Sequence, residues 1–248
     1  MELVVSTWNV NGIRARKDQV LDFLATERPS VLLLQEVKAA PDQVPLDLRE
    51  HPDYWTFWHG AGGYSGVAAL ARREHFPEAP VVSHPPFDFE NRALVIDNAL
   101  GRFVSLYVPN GGKDFEAKLR FLRDLRDWAG EDGRPVALAG DLNVALAERD
   151  VHPKERKPGQ IGTRPEERTL LRELLECGFD DLGRRFDPDN ESLFTWWPPW
   201  RSLRARNIGW RIDYVLANRA LAERARGSEV RSAFGTSDHA PVVARFEA

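Results

Sequence analysis

Asp141 and Asn143 stand two residues apart, directly after the small apolar run Val136-Ala137-Leu138-Ala139-Gly140. A carboxylate and an amide held at the mouth of a sheet can take a proton from water and hold a phosphoryl oxygen. Gly140 is expected to break the strand, and if the chain stays extended beyond it, both side chains point to one side. The same residues would serve equally well as an Asx turn closing a strand. Asn9 and Asn11 repeat this spacing after residues 3–8, with Gly12 as the turn glycine. Glu36 follows the four aliphatics of 31–34 and Gln35. It is a candidate ligand for a hard cation, the alternative being an edge glutamate paired with a lysine such as Lys38. Asn110 ends another strand-like run, and Asp213 is a carboxylate facing opposite to Ile212. Asp238-His239 adds an imidazole just before the last apolar run; alone it would be a capping or surface pair, but here it ends a list of acid–base groups.

Positioning such groups requires many short strands. Alternating or apolar runs bounded by Gly and Pro predict strands over 3–8, 31–34, 54–59, 66–71, 81–82, 93–97, 103–108, 136–140, 211–216 and 242–246. Val20, Leu21 and Leu24 are at helical spacing ahead of Pro29, predicting a helix over 18–24. Residues 115–128 read as an amphipathic helix with Leu119, Leu122, Leu125 and Trp128 on one side, and Lys118, Arg120, Arg123 and Arg126 around it. Residues 148–164 form a long polar loop, of the kind that is functional or disordered. Thr163 with Glu166, and Pro165 between them, predict a capping box for the helix that carries Leu170, Leu171, Leu174 and Leu175. Gly111-Gly112-Lys113 is not a P-loop, because Tyr107 stands where the first glycine belongs. With no repeat and no dividing linker, residues 1–248 are expected to form one domain.

Hydrophobic residues at 42% and charged residues at 29% suit a globular chain with a substantial core. The single Cys177 rules out an internal disulfide framework and predicts a reducing, cytoplasmic setting. The apolar runs fall short of 18 residues and the first residues lead straight into a strand pattern, so neither a membrane span nor a signal peptide is expected. The net charge of −4 does not exclude nucleic acid, because local patches govern that contact.

One such patch is visible near the C-terminus. Trp196, Trp197, Trp200 and Trp210 lie within fifteen residues, interleaved with Arg201, Arg204, Arg206 and Arg211. They could be core aromatics with a solvated rim. Pro198-Pro199 before Trp200 favours a projecting loop, where cations and an aromatic suit phosphate contacts and a wedge between base steps.

Taken together, Trp8-Asn9-Val10-Asn11-Gly12, Leu34-Gln35-Glu36, Gly63-Tyr64-Ser65-Gly66, Tyr107-Val108-Pro109-Asn110, Gly140-Asp141-Leu142-Asn143, Trp210-Arg211-Ile212-Asp213-Tyr214 and Ser237-Asp238-His239-Ala240-Pro241 resemble the exodeoxyribonuclease III family of abasic-site endonucleases, within the endonuclease/exonuclease/phosphatase superfamily. The resemblance implies a four-layer α/β sandwich, two packed and mostly antiparallel sheets flanked by helices. It implies a Mg2+-dependent DNA repair nuclease, with Mn2+ as a substitute, that hydrolyses the phosphodiester 5′ to an abasic site. Activity as a 3′-5′ exonuclease and on 3′-blocked ends is part of the same expectation.

The resemblance also assigns roles. Glu36 would be the principal metal ligand, with Asn9, Asn11 and Asp238 around it. Asp141 would orient or deprotonate the attacking water beside Asn143; His239, oriented by Asp213, would donate to the phosphate; and Tyr107 and Asn110 would complete the site. Trp196, Trp200, Trp210, Ile212, Arg201 and Arg211 would bind the substrate, double-stranded DNA, with the protein acting as a monomer in the cytoplasm, on the nucleoid if bacterial. Two departures stand out: Asn11 where some members carry aspartate, and Asn91 where a glycine is expected.

Overall fold

The runs at 31–35 and 136–141 are buried at every residue, so each strand needs cover on both of its faces. The computed structural model describes residues 2–130 and 133–247. Met1, Glu131, Asp132 and Ala248 of the expected domain lie outside the described residues. In chain order the elements begin β1 (Glu2–Asn9), α1 (Ile13–Thr26), β2 (Val31–Gln35), α2 (Leu46–Arg49), β3 (Tyr54–His59), β4 (Val67–Arg72), β5 (Val81–Ser83) and β6 (Ala93–Asn98). They continue β7 (Gly101–Tyr107), α3 (Phe115–Trp128), β8 (Val136–Asp141), α4 (Pro165–Glu176), β9 (Phe179–Asp181) and α5 (Leu182–Phe186). The last are β10 (Asp213–Asn218), α6 (Arg219–Ala222), β11 (Ala225–Val230) and β12 (Val242–Glu247).

Two six-stranded sheets result, ordered β11-β12-β1-β2-β4-β3 and β5-β6-β7-β8-β10-β9. In each, one central pair is parallel, β1 with β2 and β7 with β8, and every other pair is antiparallel. A parallel pair needs a crossover, and α1 and α3 supply the two. Residues such as Val5, Val31 and Leu33 of one sheet meet Ile96, Phe103 and Ala137 of the other in a common core. The outer faces pack separately, against Val20, Phe23 and Leu24 of α1 and against Leu122 of α3 and Leu171 of α4. This is the four-layer sandwich that the resemblance implies.

Local details differ from expectation. Gly140 does not end its strand but lies inside β8, because only a residue without Cβ fits there; an added Cβ would fall 1.8 Å from the carbonyl oxygen of Leu106 on β7. The capping residue of α4 is Glu167 rather than Glu166. Pro165 occupies the first helical position, which makes Arg164 the cap, and Glu167 Oε1 accepts from the backbone N–H of Arg164 at 2.8 Å and of Gly162 at 2.6 Å. Lys118 is not part of the solvated rim of α3. It is fully buried, ion-paired with the equally buried Glu167, and donates to the carbonyl of Asn143 at 2.7 Å. Arg211 and Ile212 precede β10 rather than opening it. Among the described residues, no helix is long and apolar enough to cross a membrane.

Candidate active site

Strand pairing lines up the polar residues at one end of the sandwich. In the second sheet Asp141 pairs with Tyr107 on β7 and with Asp213 on β10, so the ends of three adjacent strands carry three ionisable groups in a row. In the first sheet Asn9 pairs with Gln35, placing Glu36 one residue past β2. Asn9 bridges the two rows: its Nδ2 donates to Glu36 Oε1 at 2.9 Å and to Asp141 Oδ2 at 3.0 Å. Both termini of the chain are fastened to this end. Trp8 Nε1 donates to the carbonyl of His239 at 3.1 Å, and Ser237 Oγ donates to that of Asn9 at 2.7 Å.

The backbone bends sharply to present these groups. Asn11, Glu36, Lys38 and Asn143 all have φ between 45° and 52°, left-handed values that cost non-glycine residues about 1–3 kcal/mol each and concentrate at functional sites. Asn143 therefore leaves the extended path. Its N–H donates to Asp141 Oδ1 at 2.9 Å, so the Asx turn and the paired polar groups exist together. Its side chain donates to the carbonyl of Val108 at 2.9 Å and accepts from Asn110 at 3.2 Å.

Charge is concentrated and buried here. His239 Nδ1 lies 2.9 Å from Asp213 Oδ2, and its Nε2 lies 3.8 Å from Asp141 Oδ2. Burial opposes the imidazolium, but Asp213 and then Asp141 outweigh it and push the His239 pKa up to about 10. Burial is also the main force on Asp141; with Asp213 and Glu36 adding repulsion, it overcomes the attraction of His239 and raises that carboxyl to about 7. Glu36 goes the other way: burial would raise it, but hydrogen bonds from Lys38 and Asn9 hold it below the usual carboxylate range. The Tyr107 phenol is pushed far up, by burial first and then by Glu36 and Asp141, so it keeps its proton as a donor.

Ligand atoms of Glu36, Asp141 and His239 lie within 4.8 Å of one another. Two carboxylates this close, one of them reluctant to ionise, form a site short of positive charge, and their oxygens suit a hard divalent cation. Lys38 partly meets that need, with Nζ 2.6 Å from both Glu36 Oε2 and Asn11 Oδ1. The pairing of Glu36 with Lys38 and its place in the cluster are therefore both real. Asp238 takes hydrogen bonds from Asn11 Nδ2 at 2.8 Å and Trp196 Nε1 at 3.0 Å, and with Asp238, Glu36 and Asp141 already present, aspartate at position 11 would add a further negative charge. The asparagine at 91 sits at φ 57°, a conformation that glycine adopts freely and asparagine tolerates.

The polar cluster opens into a cavity of about 530 Å3. Trp196, Trp210 and Ile212 give it an apolar wall that adjoins the acid–base groups, Trp196 lying 6.3 Å from the His239 ring, and Gln160, Ile161 and Gly162 of the long loop complete the lining. Trp196 and Trp210 meet edge to face, centroids 6.0 Å apart at 80°. Trp200 lies outside this wall, 56% exposed on the turn that follows Pro198-Pro199, beside the exposed Arg201. Arg211 is a correction. It is 2% exposed, clamped between Asp150 at 2.8 Å and Asp181 at 2.8 Å, and cannot reach a substrate. Arg204 is likewise occupied, donating to the backbone carbonyls of Ser232, Phe234 and Ser237. Solvent-facing cations of the long loop and of the turn after Trp200 are instead Arg201, Arg206, Lys154, Arg156 and Lys157. A larger groove, of about 1000 Å3 and lined by Asn190, Trp197 and Ser232 among others, includes none of the acid–base cluster.

Sequence spacing identified the strand-end residues but missed others. Thr195 Oγ1 accepts from the N–H groups of Ile212 and Asp213, both at 3.0 Å, and sets the start of β10. Arg92 lies over the ring of Tyr107 at 4.7 Å and donates to the Tyr64 hydroxyl at 2.7 Å. Neither showed a pattern that would mark it.

Residues 6–239 match the endonuclease/exonuclease/phosphatase family. The chain is 34% identical over 250 residues to the DNA repair nuclease APEX1 of Danio rerio, spanning 96% of this chain and 80% of that protein. It is 32% identical over 250 residues to an exodeoxyribonuclease of Bacillus subtilis (strain 168), with 95% and 96% covered. The solved structure of an AP endonuclease from Archaeoglobus fulgidus superposes with a TM-score of 0.89 at 28% identity, over 99% of this chain and 100% of that one.

Proposed function

Because this chain belongs to the endonuclease/exonuclease/phosphatase family and is a DNA-repair nuclease of the exodeoxyribonuclease III type, we propose that it hydrolyses the phosphodiester 5′ to an abasic site in duplex DNA. The same site would trim 3′ ends and act as a 3′-5′ exonuclease, in one catalytic domain working as a monomer. The observation that carries this reading is the cavity itself, lined by the acid–base groups and, next to them, by a wall of two indoles. That wall leaves room for an extruded deoxyribose and excludes a nucleobase; extrusion is also easiest where stacking is already lost.

In this reading Asp141 takes the proton of a water that attacks phosphorus, and its raised pKa suits a base working near neutrality. His239, held cationic by Asp213, donates to a non-bridging phosphoryl oxygen as negative charge accumulates there. Asn143 and Asn110 orient the water or phosphate, and the protonated Tyr107 donates to the phosphate or to the leaving oxygen. Glu36, assisted by Asp141 and Asp238, would hold Mg2+ or Mn2+. The cation, when bound, supplies positive charge against the phosphate. Asn9 fits this set as a spacer, since its amide N–H groups face the two carboxylates. Asn11 supports it through Asp238 and Lys38.

The direct test is incubation with Mg2+ and a duplex containing one tetrahydrofuran abasic analogue. Incision 5′ to the analogue, faster than at intact nucleotides, is expected. Trp210→Ala should lower that preference by raising activity on undamaged nucleotides, whereas Trp200→Ala should mainly weaken binding to damaged duplex. If both variants only lose thermal stability and leave the abasic-to-intact ratio alone, the pocket is not built from these indoles.

Glu36→Gln is expected to lose activity that returns in part as Mg2+ is raised, because an amide is a poorer ligand for a hard cation. A loss that added metal leaves untouched removes Glu36 as the dominant ligand.

Binding should depend on salt despite the acidic total. Log affinity should fall with log salt by about 0.9 per phosphate neutralised, and Arg201→Ala should reduce that slope by about one. Arg211→Ala should instead destabilise the fold, since it strands Asp181 and leaves the buried Asp150 to Arg184 alone. A slope near zero in the parent would sever the exposed arginines and lysines from DNA.

A further inference from the structure

We propose that His59, His84 and Asp88 form a second metal site, for a borderline transition-metal ion such as Zn2+, outside the catalytic cavity. One ligand atom from each lies within 4.8 Å of the other two. The three come from opposite sheets. His59 ends β3, the outer strand of the first sheet, while His84 and Asp88 follow β5, the outer strand of the second. A metal here would clip the two sheet edges together.

What distinguishes this cluster from a chance meeting of polar groups is how its members are held. His84 Nδ1 lies 3.3 Å from the carbonyl of Ala93, which leaves Nε2 as its ligating atom. Asp88 Oδ1 accepts from the backbone N–H groups of Arg92 and Ala93, both at 2.8 Å, which leaves Oδ2 facing His59 Nε2 at 2.6 Å. Such outer partners orient metal ligands and fix the imidazole tautomer. Asn91 supplies the third: its amide lies 3.3 Å from both ring nitrogens of His59. Equidistant from Nδ1 and Nε2, that amide rests against the ring rather than in line with either nitrogen, and holds the imidazole beside Asp88. This gives the residue found where the family resemblance predicts glycine something to do.

The donor set selects the ion. Two imidazoles and one carboxylate are the ligands of a tetrahedral Zn2+ centre with one position left for solvent. Mg2+ prefers oxygen and suits the Glu36 cluster instead. The stacked imidazoles, 3.9 Å apart, must separate somewhat, and the ion takes the place of the direct contact between His59 Nε2 and Asp88 Oδ2. An imidazole ligates only through an unprotonated nitrogen, so binding should weaken as pH falls.

The test is calorimetric titration of the full-length protein with ZnCl2, in a Cys177→Ser background to remove its one thiol. One Zn2+ per chain is expected, retained in Glu36→Gln, weakened about 10- to 100-fold in Asn91→Gly, and abolished in the exposed His84→Ala. The thermal midpoint should rise with Zn2+ in the parent and stay fixed in His84→Ala. Co2+ in place of Zn2+ should give visible absorption that Asp88→Asn removes, which guards against misfolding of any one variant. The proposal is overturned if no Zn2+ binds, if His84→Ala binds it as the parent does, or if Glu36→Gln abolishes binding.

Discussion

Asp141→Asn is expected to cut turnover by about 10²- to 10⁴-fold while the protein still folds and binds DNA. Asparagine keeps one oxygen, enough to accept from the N–H of Asn143, and gives up the bond that Asn9 makes to the other carboxylate oxygen, so most of the local backbone order survives. What is lost is the only buried carboxylate of the cluster that burial drives up to about 7. In the parent, activity should rise with pH as Asp141 ionises and fall as His239 gives up its proton near 10. These limbs belong to the pair, and a bound cation shifts the first to lower pH. The variant should lack the rising limb. Stability gives a second readout. A carboxyl whose folded pKa lies above its unfolded value loses stability as pH rises from about 4 to about 7. Asp141→Asn should therefore be at least as stable as the parent at pH 7. Turnover within tenfold of the parent would exclude Asp141 as the base.

Lys118→Met is expected to cost about 3–5 kcal/mol of stability and to slow the reaction, although Lys118 does not line the cavity. Its ammonium is buried against Glu167 and bonded to the carbonyl of Asn143, so one side chain joins α3, α4 and the turn that follows Asp141. Removing it leaves the Glu167 carboxylate without a counter-charge inside the protein. Adding Glu167→Gln should recover much of the stability, because glutamine removes the stranded charge yet can still cap Gly162 and Arg164. Activity should stay low in the double variant, since Asn143 remains unsupported. Denaturant unfolding and steady-state kinetics on the four proteins separate the two effects; a single-variant loss below about 1 kcal/mol would show that the pair is not a structural tie.

The contrast between Lys118 and Asp141 shows what could be read from the chain beforehand. Strand ends were legible because aliphatic runs stop at a polar residue, and this singled out Glu36 and Asp141, while their grouping with Asp213 in one site came from the family resemblance. The layers followed from the family resemblance, since the strand count alone fits several α/β folds. Lys118 carried a usable signal that was not followed: it lies four residues before Leu122 and seven before Leu125, on the apolar stripe. The α4 cap was also within reach, because proline at the first helical position fixes the third as Glu167. Arg211 was not. Its partners, Asp150 and Asp181, are 61 and 30 residues away, and nothing local tells a buried arginine from an exposed one. Trp200 and Trp210 look alike in sequence, yet only one of them faces the cavity.

The fastening of both chain ends to the polar cluster bears on how this protein is made. Trp8 and His239 are 231 residues apart in the chain, and β12 lies between β11 and β1 in the sheet that holds Trp8. Contacts of such long sequence separation form late and slowly. A chain that stops before residue 239 lacks both the imidazole and β12, and one that stops between 239 and 242 keeps the imidazole but leaves the edge of β1 bare. Chains truncated ahead of His239 or β12 should therefore fail to cleave DNA, because the site is complete only once β12 has paired with β1.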